Sequence, residues 1–163
     1  PTVSVLYQGH DDYIGGAGIV AQHIRASGAK VTFSTILGDD TLKDFVISGL
    51  KEIGVEIFPI VDPGRPTTQK NAIISGGYKL LKIDTLDNSP MSDDIQEKLI
   101  EKVQQTSVNA VVFSDFRHGI FSKECIKNVV SQLIRLIDLI FKSQDLNIYP
   151  NLTKNIKNYI INN

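Results

Sequence analysis

The chain of 163 residues has one cysteine, which excludes a disulfide framework and any Cys-rich zinc module. It also has no excess of charge of either sign, since 17 Lys+Arg stand against 18 Asp+Glu for a net charge of −1. That balance leaves no electrostatic footprint for nucleic acid or an acidic membrane surface, so neither is expected as a partner. The longest apolar run is far short of the roughly 20 residues that span a bilayer. No basic-then-apolar leader opens the sequence, and a soluble cytoplasmic protein is the expectation. His10, His23 and His118 lie far apart without ligand spacing, so no metal site is expected. No G-x-S-x-G elbow and no Walker loop occurs. Asp11-Asp12 and Asp93-Asp94 read as loop and helix-start charges, and Cys125 as a half-buried, inert thiol within a helix.

What is present is enough for a core. The hydrophobic fraction is 42% and the charged fraction 21%, ordinary for a globular chain. A domain of this length buries roughly 70% of the surface its unfolded form exposes. Thr2 to Leu6 alternates polar and apolar residues, which predicts a short half-buried strand. Ala17, Val20, Ala21 and Ile24 then form one stripe of a helix that stops at Gly28, and Val31 to Leu37 predicts a strand. A second helix opens at Thr41, with Asp44 at capping-box spacing, and presents Leu42, Phe45, Val46, Gly49, Leu50 and Ile53 on one face. Gly54 closes it before a strand from Val55 to Ile60. This alternation predicts α/β layering around a largely parallel sheet.

The rhythm changes after a turn at Asp62-Pro63-Gly64-Arg65-Pro66. Thr67 to Ile74 and Tyr78 to Asp84, joined by Gly76-Gly77, predict a hairpin that interrupts the α/β units. A helix capped by Ser92 follows, with Ile95, Leu99 and Val103 on one face. Asn109 to Phe113 predicts a central strand buried on both sides, and a further helix begins near Ser122. Residues 133–141 are apolar on nearly all sides, and 143–163 form an Asn/Lys-rich tail expected to be weakly ordered.

Gly15-Gly16-Ala17-Gly18 is the first stretch with chemical content. Paired glycines before a helix admit a ligand close to the backbone, where free N–H groups and the helix dipole favour anions and polar oxygens. Gly16-x-Gly18-x-x-Ala21, with Asp39 about 20 residues on, also matches a dinucleotide fingerprint. That motif requires a strand running directly into the first glycine, whereas eight mostly polar residues separate Leu6 from Gly15. A sugar-gripping loop and a plain tight turn are the other readings.

The sequence GGAGIVAQHIRASGAKVTFSTILGDD resembles the N-terminal signature of the ribokinase-like (PfkB-type) carbohydrate kinases. The order of Gly15-Gly16, Gly28, Gly38-Asp39, Gly54, Thr67-Thr68-Gln69-Lys70 and Lys82-x-Asp84 fits that family. Ser114-Asp115-Phe116 with Gly119 is similar to a stretch of the branch that phosphorylates heptose 7-phosphate toward ADP-heptose. The resemblance covers about residues 1 to 130. It implies part of a Rossmann-type αβα sandwich over 1–142, with a small β lid from strands at about 2–6 and 67–84. It implies a sugar or sugar-phosphate substrate, with ATP and Mg²⁺ as cofactors. Gly15, Gly16, Lys70, Asp39, Lys82 and Asp115 are the substrate-binding candidates it points to. Asp39 has a rival role as a cap for the helix at Thr41, Lys70 and Lys82 as solvated strand residues, and Asp115 as a tie within its own loop.

Departures from the family accompany the match. Ile19 stands near where the family has a sugar-binding Asn, and His118 where the heptose branch commonly has Lys. The Gly-Ala-Gly-Asp motif, which in the family supplies an anion hole and the catalytic base, does not occur. The usual opening strand with its substrate-binding Asp is not found before Pro1, and most of the ATP site is missing from these residues. No catalytic residue is therefore assigned. The expectation is a truncated kinase fragment, inactive alone. A non-catalytic sugar-binding remnant, pairing through the lid or the 133–141 patch, is the alternative. A NAD-type domain is the third reading.

Overall fold

A computed structural model of the chain describes residues 3–106, 108–116 and 118–131. The apolar stretch 133–141 and the tail 143–163 lie outside the described residues. Two compact units divide the chain: one holds the residues up to Ser89 together with Val112–Ile120, the other Pro90–Val111 and the residues from Phe121 onward.

The first unit begins with α1 (Gly16–Ala26), β1 (Thr32–Leu37), α2 (Thr41–Glu52) and β2 (Glu56–Val61). β1 and β2 pair in parallel, Thr32 opposite Glu56 and Leu37 opposite Val61, with α2 as the crossover that a parallel pair requires. Ala21 of α1, Leu50 of α2, Val55 and Ile57 form the core, and Ile14, Val31, Phe33, Val46 and Ile47 pack around it. Leu50 is wholly buried, a gain of roughly 1.5–3 kcal/mol over leaving it in water. The sequence stripe of α2 is only partly used: Phe45 and Ile53 remain exposed while Ile47 packs inward. Ile14, just before α1, fills the space that two glycines leave. A Cβ on Gly18 would strike its Cγ2, and one on Gly49 would come within 2.8 Å of its Cδ1.

β3 (Gln69–Ser75) and β4 (Tyr78–Thr85) form the expected antiparallel hairpin around Gly76-Gly77. Both turn glycines have positive φ, 57° and 80°, as a two-residue turn of matching twist requires. The pairing skips Leu80, a bulge between the Ile73–Leu81 and Ile74–Lys79 pairs. Apart from Gln69, both strands are exposed along their length.

Two predicted strands are absent. Residues 3–6 form no strand, and Val3 and Leu6 are 76% and 87% exposed. Residues 109–113 are likewise exposed and outside any strand. Alternation or an apolar run creates a face to bury, but a strand exists only when a neighbour takes its hydrogen bonds. Among the described residues the two sheets are two-stranded, and neither extends to these segments.

In the second unit, α3 (Asp93–Gln105) is capped as expected by Ser92, whose hydroxyl accepts from the Ile95 N–H. Ile95 and Leu99 are its buried positions. A helix α4 runs over 123–131, and Ser122 Oγ accepts from the Cys125 N–H at 3.0 Å. Cys125 is fully buried, more so than its sequence position implied. Burial pushes its thiol pKa up, which keeps it protonated and unreactive. Among the described residues no helix is long and apolar enough to cross a membrane.

Candidate functional site

The start of α1 has the first requirement of a ligand-binding turn. Its N-cap is Gly15, which has no side chain to occupy the helix's first N–H donors. Among the described residues, nothing lies within 4 Å of where a Gly15 Cβ would stand. Gly16 has φ +52°, and the ring of Phe116 lies 3.8 Å from its would-be Cβ position. Phe116 is therefore brought to the Gly15-Gly16 turn, with Asp115 the residue before it in the chain. No strand runs into Gly16, since residues 3–15 hold none. The dinucleotide fingerprint thus lacks the element it depends on.

The hairpin gathers the lysines. Lys70 lies opposite Asp84 and Ala72 opposite Lys82, so Lys70, Lys82 and Asp84 share one face. Lys82 Nζ pairs with Asp84 Oδ2 at 3.2 Å, while Lys70 is exposed and has no partner among the described residues. Two ammonium groups beside one carboxylate leave this face positive.

Asp39 sits elsewhere and in another role. Its carboxylate pairs with Lys43 Nζ at 2.5 Å across one turn of α2. It does not cap the helix; Asp40 does, with Oδ1 accepting from the Lys43 N–H at 3.1 Å. The capping-box spacing of Thr41 and Asp44 misplaces the helix start by one residue, because Asp40 has the extended backbone of a cap and Thr41 is already helical.

Asp40 and Thr67 make a joint that no local motif singles out. Asp40 Oδ2 accepts from the Thr67 N–H at 2.8 Å, and the Gly38 N–H donates to Thr67 Oγ1 at 2.9 Å. Thr67, by sequence the start of the flap strand, is instead buried two residues before it. Burial acts to raise the Asp40 pKa. Hydrogen bonds from the Thr67 backbone and hydroxyl and from the Lys43 and Leu42 N–H groups outweigh it and hold the carboxyl below its ordinary 3.8. Asp62 is lowered too, by the Gly64 N–H first and then by Arg65, whose Nε donates to it at 2.9 Å.

Lowered carboxylates give a definite sign to acid stability. Their contribution is complete above the unfolded pKa and is lost as pH falls through the folded one. Urea midpoints are therefore expected to fall below about pH 4, and Asp40→Asn should flatten that fall relative to wild type. Equal slopes for the two proteins would remove Asp40 from the acid response.

Near the 114–116 loop, His118 Nδ1 lies 3.1 Å from Asn88 Oδ1. An open depression of about 550 Å³ lies along α1 between Asp12, Ile19, His23 and Gly49. None of the candidate residues lines it. Ile19, at the expected sugar-binding Asn position, is 43% exposed in its wall. Among the described residues no three His, Cys, Asp or Glu side chains gather to hold a metal.

Sequence comparison gives the family, and structure comparison the fold. The model of the pfkB family carbohydrate kinases matches residues 6–160. The chain is 32% identical to the bifunctional protein HldE of Bradyrhizobium sp. (strain ORS 278), over 98% of this chain and 35% of that protein. It is 31% identical to the HldE of Trichlorobacter lovleyi, over 75% of this chain and 26% of the relative. The chain thus spans about a third or less of the curated relatives it matches. Among solved structures, the tetrameric inhibited form of phosphofructokinase-2 from Escherichia coli superposes with a TM-score of 0.57 at 19% identity. That match covers 72% of this chain and 38% of the other, and it shows the shared ribokinase-like α/β fold. With the family's sequence model matching most of its length, the chain belongs to the pfkB family of carbohydrate kinases.

Proposed function

We propose that these residues form the sugar-binding part of a carbohydrate kinase acting on a sugar phosphate of the heptose 7-phosphate kind. The observation that carries this reading is the uncapped Gly15-Gly16 turn with Phe116 against it. Free N–H donors at the start of a helix suit hydroxyl and phosphate oxygens. Lys70 supplies an unpaired positive charge on a long, adaptable stem for a distal phosphate, and Lys82 adds to the same field. Asp115, the residue before the ring that touches Gly16, is the carboxylate this reading assigns to a sugar hydroxyl, and Asp39, engaged by Lys43, is a secondary candidate.

ATP and Mg²⁺ are the family's cofactors, but the described residues do not fit them. They gather no carboxylate cluster, and the 163 residues contain no Gly-Ala-Gly-Asp. Phosphoryl transfer depends on positioning and charge neutralisation, and these residues by themselves supply neither for the nucleotide. A polypeptide of residues 1–163 is expected to release no ADP above background with ATP, Mg²⁺ and heptose 7-phosphate in a coupled assay. Turnover by that polypeptide would overturn the expectation.

Binding is the direct test. ³¹P NMR of heptose 7-phosphate should show a saturable shift on adding the chain, and Lys70→Ala should weaken affinity about tenfold, the scale of one charge-assisted contact. An unchanged phosphorus signal with wild type would sink the reading.

A second reading has its own observation. Ile73, Leu81 and Ile83 share the other hairpin face at 38%, 51% and 48% exposure. A contiguous apolar face of this kind is suited to pairing with a second copy. Light scattering after size exclusion decides, since a monomer at high concentration removes this homodimer.

A further inference from the structure

Between the end of β2 and the start of β3 the chain meets the C-terminal end of β1, and one carboxylate fastens it there. Asp40 Oδ1 accepts from the Lys43 N–H at 3.1 Å, and its Oδ2 accepts from the Thr67 N–H at 2.8 Å. Thr67 is 5% exposed, and its Oγ1 accepts from the Gly38 N–H. The fit is close: a Cβ on Gly38 would stand 2.5 Å from both the Arg65 carbonyl oxygen and the Thr67 nitrogen. On the other side of the connection, Asp62 holds the turn by accepting from the Gly64 N–H and Arg65 Nε, each at 2.9 Å.

A helix cap alone does not need this side chain, because Ser, Thr or Asn would serve. Asp40 does more than cap, since its two carboxylate oxygens serve two elements at once, one each. The hairpin gives the second bond its importance. β3 and β4 are exposed on both faces, so no buried face of their own sets their direction. Their direction is set at the root, and Thr67 is three residues before Lys70.

We propose that Asp40 is a positioning residue: by pinning Thr67 to the end of β1 it fixes the root of the β3–β4 hairpin and thereby the place of Lys70. The proposal rests on the sugar-phosphate reading for its consequence in binding, but the pin itself can be judged without it.

Asp40→Ser separates the two duties, because serine caps α2 but is too short to reach Thr67 as well. Amide exchange by NMR on the 163-residue chain should quicken about tenfold at Gly38 and Thr67 and along β3, while α2 and β2 amides stay within about threefold. Thr67→Val, which removes the hydroxyl and keeps the N–H, should give a weaker version of the same pattern. Acceleration spread evenly over the first unit, or none at Thr67 and β3, would overturn the pin.

Titration with heptose 7-phosphate tests the consequence. Asp40→Ser should weaken affinity several-fold, and Asp40→Ser with Lys70→Ala should bind no worse than Lys70→Ala alone. Full additivity would show that Asp40 does not act through Lys70. If wild type fails to bind heptose 7-phosphate, the sugar-phosphate reading fails, while the exchange pattern still decides the pin.

Discussion

Gly38→Ala is expected to lower the thermal midpoint of the chain by about 10 °C, using roughly 2–4 °C per kcal/mol for a protein of this size. The new methyl would lie 2.5 Å from the Arg65 carbonyl oxygen and the Thr67 nitrogen, and 2.8 Å from Asp40 Oδ2. Two of those three atoms are backbone, so no side-chain rotation relieves the overlap. Overpacking of this kind costs roughly 1–3 kcal/mol. Moving the 62–68 connection away also breaks the buried Gly38–Thr67 bond and the partly buried Asp40–Thr67 bond, at about 1–3 kcal/mol for each group left unsatisfied. Against the roughly 5–15 kcal/mol that folds a domain, the sum is severe. Differential scanning calorimetry checks it, and a midpoint within about 3 °C of wild type would show that the connection yields without cost.

Gly119→Ala is the second large effect, and it has two independent causes. Gly119 has φ +76°, a left-handed conformation that costs an ordinary residue roughly 1–2 kcal/mol. Its added Cβ would also run into the carbonyl oxygens of Ser89 and Asn88, again backbone atoms. The expected outcome is that the 116–120 loop leaves the 87–89 segment, breaking the His118–Asn88 hydrogen bond and freeing Phe116 from Gly16. The loss should therefore appear in sugar-phosphate affinity as well as in stability. Asn88→Ala is the control, since it removes only the exposed hydrogen bond and should cost about 1 kcal/mol. Equal losses for Asn88→Ala and Gly119→Ala would show that the loop is held by the side chain and not by the backbone fit.

Sequence signals are dependable in this chain where local chemistry decides the structure. Helical stripes locate α1, α2 and α3, Ser92 announces its own cap, and Gly76-Gly77 announces the hairpin turn. The ordered glycines also carry the family resemblance that the comparisons bear out. The patterns at 2–6 and 109–113 mislead because a strand's existence depends on a partner that its own pattern does not name. Asp39 and Asp40 are adjacent and chemically identical, so composition cannot decide which one caps α2 and which pairs with Lys43. Thr67 is hidden in another way. Its hydrogen bonds reach back 27 and 29 residues, and only the fold of β1 against the β2–β3 connection brings those groups together. The contact between Phe116 and Gly16 joins residues far apart in the chain and leaves no trace in either local motif.

The most direct test is an amide chemical-shift map of the ¹⁵N-labelled 163-residue chain during titration with heptose 7-phosphate. Saturable shifts are expected at Gly15, Gly16, Asp115 and Lys70, with the C-terminal turn of α2 and the strand β2 unmoved. Shifts confined to the depression along α1, or no shifts at millimolar sugar phosphate, would contradict a binding site built on the Gly15-Gly16 turn.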